Sequence, residues 1–312
     1  MVWPWEPWCG NDLDKLPRFK AAGHDVVSIT VAGDNHNISE AVQRVAQVRR
    51  LIRDMAPDVR LCGTLDEIAA AKGDGVLAAL LHFEGTRCFE RNLDMIAAFY
   101  DLGVKHTLLA FNNANSVGGG CMEASDGGLT AFGRKLVAEM RRVGMLLDLS
   151  HTGHRTAREA MDVWEGPCVF SHSNAAAVFA HPRNLADDEI RACAATGGLV
   201  GVSGSSMYHG DPEARAESLF AHLDHMVQLV GPEHVGIGID AVFDGEAISD
   251  WMRGRPEEWP DARRLNWPGV RFVIPEELPR LTDCMLGAGY PEPAIRQILG
   301  QNYMRICREV WR

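Results

Sequence analysis

The sequence predicts an α/β protein, an eight-stranded (β/α)8 barrel of the TIM type. Three observations predict it. Short, continuously apolar runs alternate with longer amphipathic segments, the pattern of parallel strands covered on both faces by helices. Residues able to ligate a metal stand just past several of those runs, where a barrel gathers its chemistry. No repeat of fixed period and no low-complexity linker interrupts the 312 residues. Barrels reach that length as one unit, so residues 1–312 read as a single domain.

Candidate strands run from Asp25 to Val31, Val76 to Phe83, His106 to Phe111, Met145 to Leu149, Cys168 to Phe170, Leu199 to Val202 and Val235 to Ile239. A short first strand near Val2 completes eight. Between them lie helices with readable ends. Ser39 is expected to cap a helix whose stripe runs Val42, Val45, Val48, Leu51, Ile52 and Met55. Leu93, Ile96, Ala97 and Tyr100 form a second stripe, closed by Gly103. Thr130 opens a third, with Leu136, Val137, Met140 and Val143, stopped by Gly144. Leu219, Leu223, Met226, Val227 and Val230 mark a fourth, stopped by Gly231. The stretch from Phe243 to Val273 is rich in Trp, Pro, Arg and Asp. It reads as a long irregular loop lying over the active face, to about residue 275. Residues 276–312 read as two closing helices, with Pro291 and Pro293 at their boundary.

A formal net charge of −11 argues against a nucleic-acid partner, which needs concentrated Lys and Arg. No apolar run is long enough for a bilayer, and the start lacks the basic and apolar stretches of a secretory signal, so no membrane partner is expected. Eight scattered cysteines without a CxxC pair read as reduced thiols, which suits the cytoplasm.

The residues just past the candidate strands are Glu84, Asn112, Ser150 and His151, Ser171 and His172, Ser203, and Asp240. Each alone reads as a turn residue or a satisfied buried polar group. Two carboxylates and two imidazoles converging at strand ends read as a site. Those are the ligand types of a catalytic zinc or similar divalent ion with one position left open for water. His222 and His225, three apart on an outer helix, read as packing or solvated residues, and Trp3, Trp5 and Trp8 as core. His24, His36, His82, His154 and His209 show no partner pattern.

Several segments, in order, carry a resemblance: Phe83-Glu84-Gly85, Gly128 to Gly133 leading into Glu139-Met140, Gly144 to His151, Phe170 to Asn174, His181 to Leu185, and Gly236 to Asp240. At these the chain resembles the membrane dipeptidase (renal dipeptidase) family of metallopeptidases, peptidase M19, in the amidohydrolase superfamily. The resemblance implies that Glu84 is the carboxylate bridging two metals, and that His151 and His172 are imidazole ligands. It implies that Asp240 manages the proton of the attacking water, and that Arg183 holds the substrate's terminal carboxylate, a task suited to a planar fork of donors.

Two departures stand out. The family's opening His-x-Asp is absent from Met1 to Trp8, and Gly10-Asn11-Asp12-Leu13 echoes the opening phrase without its histidine. Either the sequence starts late or this branch has lost the first metal site, so one zinc is expected, and two if the N-terminus is incomplete. Secondly, Phe111 stands where the family has a histidine that polarises the scissile carbonyl. Losing such a donor costs roughly 2.7–4 kcal/mol of transition-state stabilisation, and Asn112 or Asn115 is the expected substitute, which makes Asn112 a candidate substrate-binding residue.

The expected function is a metal-dependent, dipeptidase-like hydrolase acting on a small carboxylate-bearing substrate. The alternatives are a relative that cleaves another C–N bond, and a non-catalytic binder of a small amino-acid derivative. A homodimer is expected from the resemblance alone.

Overall fold

Strands buried on both faces are expected to be largely apolar, and those of the computed structural model are, apart from polar residues such as His82, Glu84, Lys105 and His106. The structure describes residues 12–264 and 268–312. Eight strands run in parallel: β1 (Val26–Gly33), β2 (Val59–Leu61), β3 (Leu77–Glu84), β4 (Val104–Leu108), β5 (Leu146–Asp148), β6 (Val169–Phe170), β7 (Leu199–Ser203) and β8 (Val235–Gly238). Every residue of β3, β4, β5, β6 and β7 is buried. The order is β1-β3-β4-β5-β6-β7-β8, with β2 pairing the first residues of β3. Among the described residues no pairing joins β1 to β8.

The sheet is strongly curled. Five steps separate β3 from β8, about 24 Å across a flat sheet at ~4.8 Å per strand. Yet Glu84 at the end of β3 and Asp240 just past β8 bring ligand atoms within 4.8 Å of each other. Curling also presses backbones together. A side chain at Gly201 or Gly238 would overlap the carbonyl oxygen of Ser171, so β6, β7 and β8 can approach as they do only without one.

Several expectations need correction. The strand expected near Val2 lies outside the described residues. The segment Val59–Leu61 is a strand that sequence reading missed. Three residues with an arginine in the middle carry too little apolar pattern to be noticed. The helix over Ile38–Asp54 is capped by Asn37, not Ser39: the Glu40 amide donates to Asn37 Oδ1 (3.0 Å) and the Asn37 amide to Glu40 Oε2 (2.8 Å). Its buried stripe is Ala41, Val45, Val48 and Ile52, with Val42 exposed. The expected run to Phe111 ends at Leu108, and the next residues turn away from the sheet.

The segment after β8 is more ordered than its composition suggests. Asp244 caps a helix over Gly245–Arg253, whose Ile248 and Met252 bury against Trp259, Tyr208, Val242 and Val270. A turn of 3-10 helix follows at Pro260–Arg263. Thr130 and Gly144 end their helix as expected: the Gly133 amide donates to Thr130 Oγ1 (2.9 Å), and Gly144 adopts φ +92°. The closing helices are Leu278–Gly287 and a second body from Glu292 to Val310, broken by a π turn at Gln297–Gln301.

Candidate metal centre

Glu84, His151, His172 and Asp240 come from four strand ends into one buried cluster of side chains, each at most 3% exposed. His151 and Asp240 adopt left-handed backbone, with φ +61° and +54°, as does Asn112 at +57°. Such conformations cost non-glycine residues energy and cluster where side chains must be aimed. The Nε2 atoms of His151 and His172 lie 3.0 Å apart. His172 Nε2 is 3.8 Å from Glu84 Oε1. Glu84, His172 and Asp240 each offer a ligand atom within 4.8 Å of the others.

These groups fit a divalent cation. Both oxygens of Glu84 and Oδ1 of Asp240 are buried without a hydrogen-bond partner, an arrangement native proteins rarely tolerate. Burial, reinforced by the carboxylates of Asp240 and Asp148, pushes the Glu84 carboxyl well above its usual range. Burial raises Asp240 to about 7, with the Arg183 charge pulling the other way. Burial first, then Arg183, keeps both histidines neutral. Neutral imidazoles and carboxylates facing one point are a borderline-hard donor set that suits zinc and similar ions.

A supporting shell fixes each imidazole. His151 Nδ1 lies 2.6 Å from Asn112 Oδ1, and His172 Nδ1 lies 2.8 Å from Ser171 Oγ. Donation from Nδ1–H leaves the Nε2 lone pair for an ion. Asn112 therefore does not present the free donor that was expected of it. Its Oδ1 is taken by His151, its Nδ2 donates to the Glu258 carbonyl (3.0 Å), and the residue is fully buried. Asn115 is also committed, donating to Asp34 Oδ2 (2.9 Å) and the Leu109 carbonyl (2.8 Å). Phe111 stacks on His151 at 4.3 Å between ring centroids and meets Trp259 edge-on at 5.8 Å. Trp259 of the post-β8 segment thus stands against both Phe111 and His151.

Arg183 stands behind His172. Its Nη1 donates to Ser173 Oγ and its Nη2 to the His172 carbonyl, both at 2.6 Å, and only Nε lacks a partner. As arranged, two of its five N–H groups are spent on Ser173 and the His172 carbonyl, and the residue is 2% exposed, so it is held as part of the wall behind His172. His222 and His225 are structural: the Ala175 amide donates to His222 Nδ1 (3.1 Å), and His225 Nε2 meets Asp187 Oδ1 at 2.8 Å.

Two residues at the site escaped sequence reading. His82 is fully buried, its Nε2 3.9 Å from Glu84 Oε1, with Ser28 and Thr30 at 2.8 Å from its two nitrogens and His106 stacked on it at 4.4 Å. The signal was the two-residue spacing from Glu84, which puts both on one face of β3. Asp34 follows β1 directly. The strand-end rule that found the others points to it once β1 is carried to Gly33 instead of Val31. Asp34 and Glu84 border a cleft of about 730 Å³.

Buried carboxylates and imidazoles gathered at the ends of parallel strands suit a hydrolase of the dipeptidase and amidohydrolase type, and this protein is such an enzyme. The chain belongs to the membrane dipeptidase family, peptidase family M19, whose family model matches residues 8–312. A crystal structure of an amidohydrolase from Pseudomonas aeruginosa superposes with a TM-score of 0.89 at 29% identity, covering 99% of this chain and 94% of that one. An uncharacterized dipeptidase from Schizosaccharomyces pombe is 33% identical over 219 residues, 67% of this chain and 51% of the relative, so the chain spans about half of that protein's length. A Rhodobacter sphaeroides metallopeptidase, solved with a phosphinate mimic of the dipeptide L-Ala-D-Ala, shares the fold with a TM-score of 0.78 at 22% identity, over 95% of this chain and 90% of its own. Among the described residues, no helix is long and apolar enough to cross a membrane.

Proposed function

We propose that this dipeptidase-like hydrolase is a zinc enzyme that cleaves the peptide bond of a small, carboxylate-bearing substrate. One observation carries the reading: three buried carboxylate oxygens without partners face two imidazole nitrogens whose rings are held in the ligating orientation. Glu84, His151 and His172 would hold the ion, which would supply Lewis acidity to lower the pKa of water and polarise a carbonyl. Asp240, whose carboxyl is pushed by burial above the usual carboxylate range, accepts a proton from water and passes it to the leaving amine. Arg183 offsets the charge of Asp240 and Glu84 and offers Nε to the substrate. Phe111, Trp259 and the Asn112–Glu258 contact exclude water above His151.

A second reading, cleavage of a different C–N bond, is favoured by Phe111, whose ring lies against His151 and donates no hydrogen bond to a scissile carbonyl. A dipeptide panel assayed with zinc-loaded protein, metal content measured by elemental analysis, tests the first reading. Release of free amino acids at about one zinc per chain is expected, and Glu84→Gln should lose both metal and turnover. Full metal occupancy with no dipeptide cleaved would overturn the substrate assignment, and a fully active, fully loaded Glu84→Gln would overturn the role of Glu84.

A further inference from the structure

The acids and the guanidiniums around the cleft beside Glu84 are not matched to one another. Asp34, Glu90 and Glu258 border it, as do Arg87 and Arg91. The acids are committed elsewhere. Asp34 accepts from the amides of Thr86 (2.8 Å), Arg87 (2.9 Å) and Phe111 (2.9 Å) and from the Asn115 side chain (2.9 Å). Glu90 accepts from the Ile38 amide (3.1 Å) at the start of the Ile38–Asp54 helix. Burial pushes the Glu258 carboxyl upward, toward its neutral form. The guanidiniums remain. Arg87 reaches only the Asp34 carbonyl, at the long distance of 3.5 Å, and Arg91 lies 4.9 Å over the Phe132 ring. Among the described residues, neither has a carboxylate partner. Other arginines are paired, as Arg134 and Arg155 are with Glu159, both at 2.9 Å.

The loop that carries the pair is also built against backbone preference. Glu90 and Arg91 are consecutive non-glycine residues in the left-handed region, with φ +47° and +60°. Arg87 is fixed from the other side, because its own amide and that of Thr86 both donate to Asp34 Oδ1. Only two residues separate Glu84 from Arg87, so the cationic wall stands next to the ion site.

We propose that Arg87 and Arg91 form a carboxylate-binding subsite of the cleft, gripping an anionic group of the substrate while its scissile bond lies at Glu84. The proposal rests on the dipeptidase reading above. The pair presents two exposed guanidiniums with forked donors to the cleft, whereas Arg183 is buried and anchored to Ser173 and the His172 carbonyl. The carboxylate it takes is either the terminal one or that of an acidic side chain, since both present the same two oxygens.

Four substrates separate the sources: Glu-Ala against Gln-Ala, and Ala-Ala against Ala-Ala amide, assayed with zinc-loaded wild type and with an Arg87→Gln/Arg91→Gln double variant. The double substitution should lower the charged-to-uncharged ratio of kcat/KM by about tenfold or more. A fall in the first pair assigns the subsite to an acidic side chain, and a fall in the second assigns it to the terminal carboxylate. Arg87→Lys should keep part of the ratio, because charge survives without the fork. Unchanged ratios in both pairs would overturn the subsite. If wild type cleaves none of the four, the dipeptidase reading fails, and the subsite is read by calorimetric titration with L-glutamate. Binding weakened by the same factor in the double variant supports it, whereas no binding to wild type, or equal binding to both, overturns it.

Discussion

Removing the Asn112 side chain takes away the acceptor that holds His151 Nδ1 at 2.6 Å and the donor to the Glu258 carbonyl at 3.0 Å. The first bond is buried, so leaving its group unpaired costs about 1–3 kcal/mol, and the second, part-buried, costs less. The backbone complicates the choice of substitution, because Asn112 sits at φ +57°. Alanine there adds about 1–2 kcal/mol of left-handed strain, which glycine avoids. Comparing the two separates strain from the loss of the His151 contact. For Asn112→Gly, with the imidazole free to turn and to change tautomer, zinc affinity should fall about 10–100-fold, the usual consequence of losing the partner of a ligating histidine. Competition against a fluorescent chelator reads this directly. Asn112→Ala should show the same zinc constant with a further loss of about 1–2 kcal/mol in urea unfolding. Asn112→Asp, which keeps an acceptor for Nδ1–H, should recover part of the affinity. If Asn112→Gly binds zinc as tightly as wild type, Asn112 does not position His151 and the tautomer argument fails.

Other perturbations probe different parts of the same arrangement. Stripping divalent ions with a chelator should lower Tm and adding zinc should restore it, since saturation at about 1,000 times Kd contributes about 4 kcal/mol; a Tm indifferent to both would mean that the unpartnered oxygens of Glu84 and Asp240 hold no ion. Asp34→Ala strands three backbone amides and the Asn115 side chain, at about 1–3 kcal/mol each, and should collapse the urea midpoint or the soluble yield, whereas Asp34→Asn, which keeps one acceptor oxygen, should cost less. His222 is held neutral, its pKa lowered by burial to about 4 against 6.5 unperturbed, and its Nδ1 accepts from the Ala175 amide. A folded value below the unfolded one means the stabilisation is complete above pH 6.5 and is lost as pH falls toward 4, by about 3 kcal/mol for the whole gap. The urea midpoint should therefore fall between pH 8 and pH 5, less so in His222→Gln, and a flat profile would refute the assignment.

Much of the architecture was legible because parallel strands advertise themselves: Leu77–Leu81 and Leu199–Val202 are apolar without interruption. Glu84, His151, His172 and Asp240 were legible because a barrel puts chemistry at a place that can be counted to along the chain. What was not legible came from two sources. Short or mixed elements carry little periodic signal, which hid Val59–Leu61 and the helix over Gly245–Arg253, where Trp, Pro and charge obscure the stripe of Ile248 and Met252. The second source is competition for polar groups. Sequence shows that Asn112 and Arg183 can donate, but not that His151, Glu258, Ser173 and the His172 carbonyl already engage them. His82 illustrates the converse: its spacing from Glu84 is visible in the sequence, but the register of β3 against β4, which sets its ring against His106, is not.

The bare backbone at Gly201 and Gly238 has a consequence for how variation in this enzyme should be interpreted. The peptide they cradle immediately precedes His172, so a methyl group at either position must displace the imidazole it supports. Loss of turnover would then track to two sites that own no reactive atom and lie on neighbouring strands. In a saturation scan, positions intolerant of every substitution here report clearance rather than chemistry, and reading them as participants in bond cleavage would invert cause and effect.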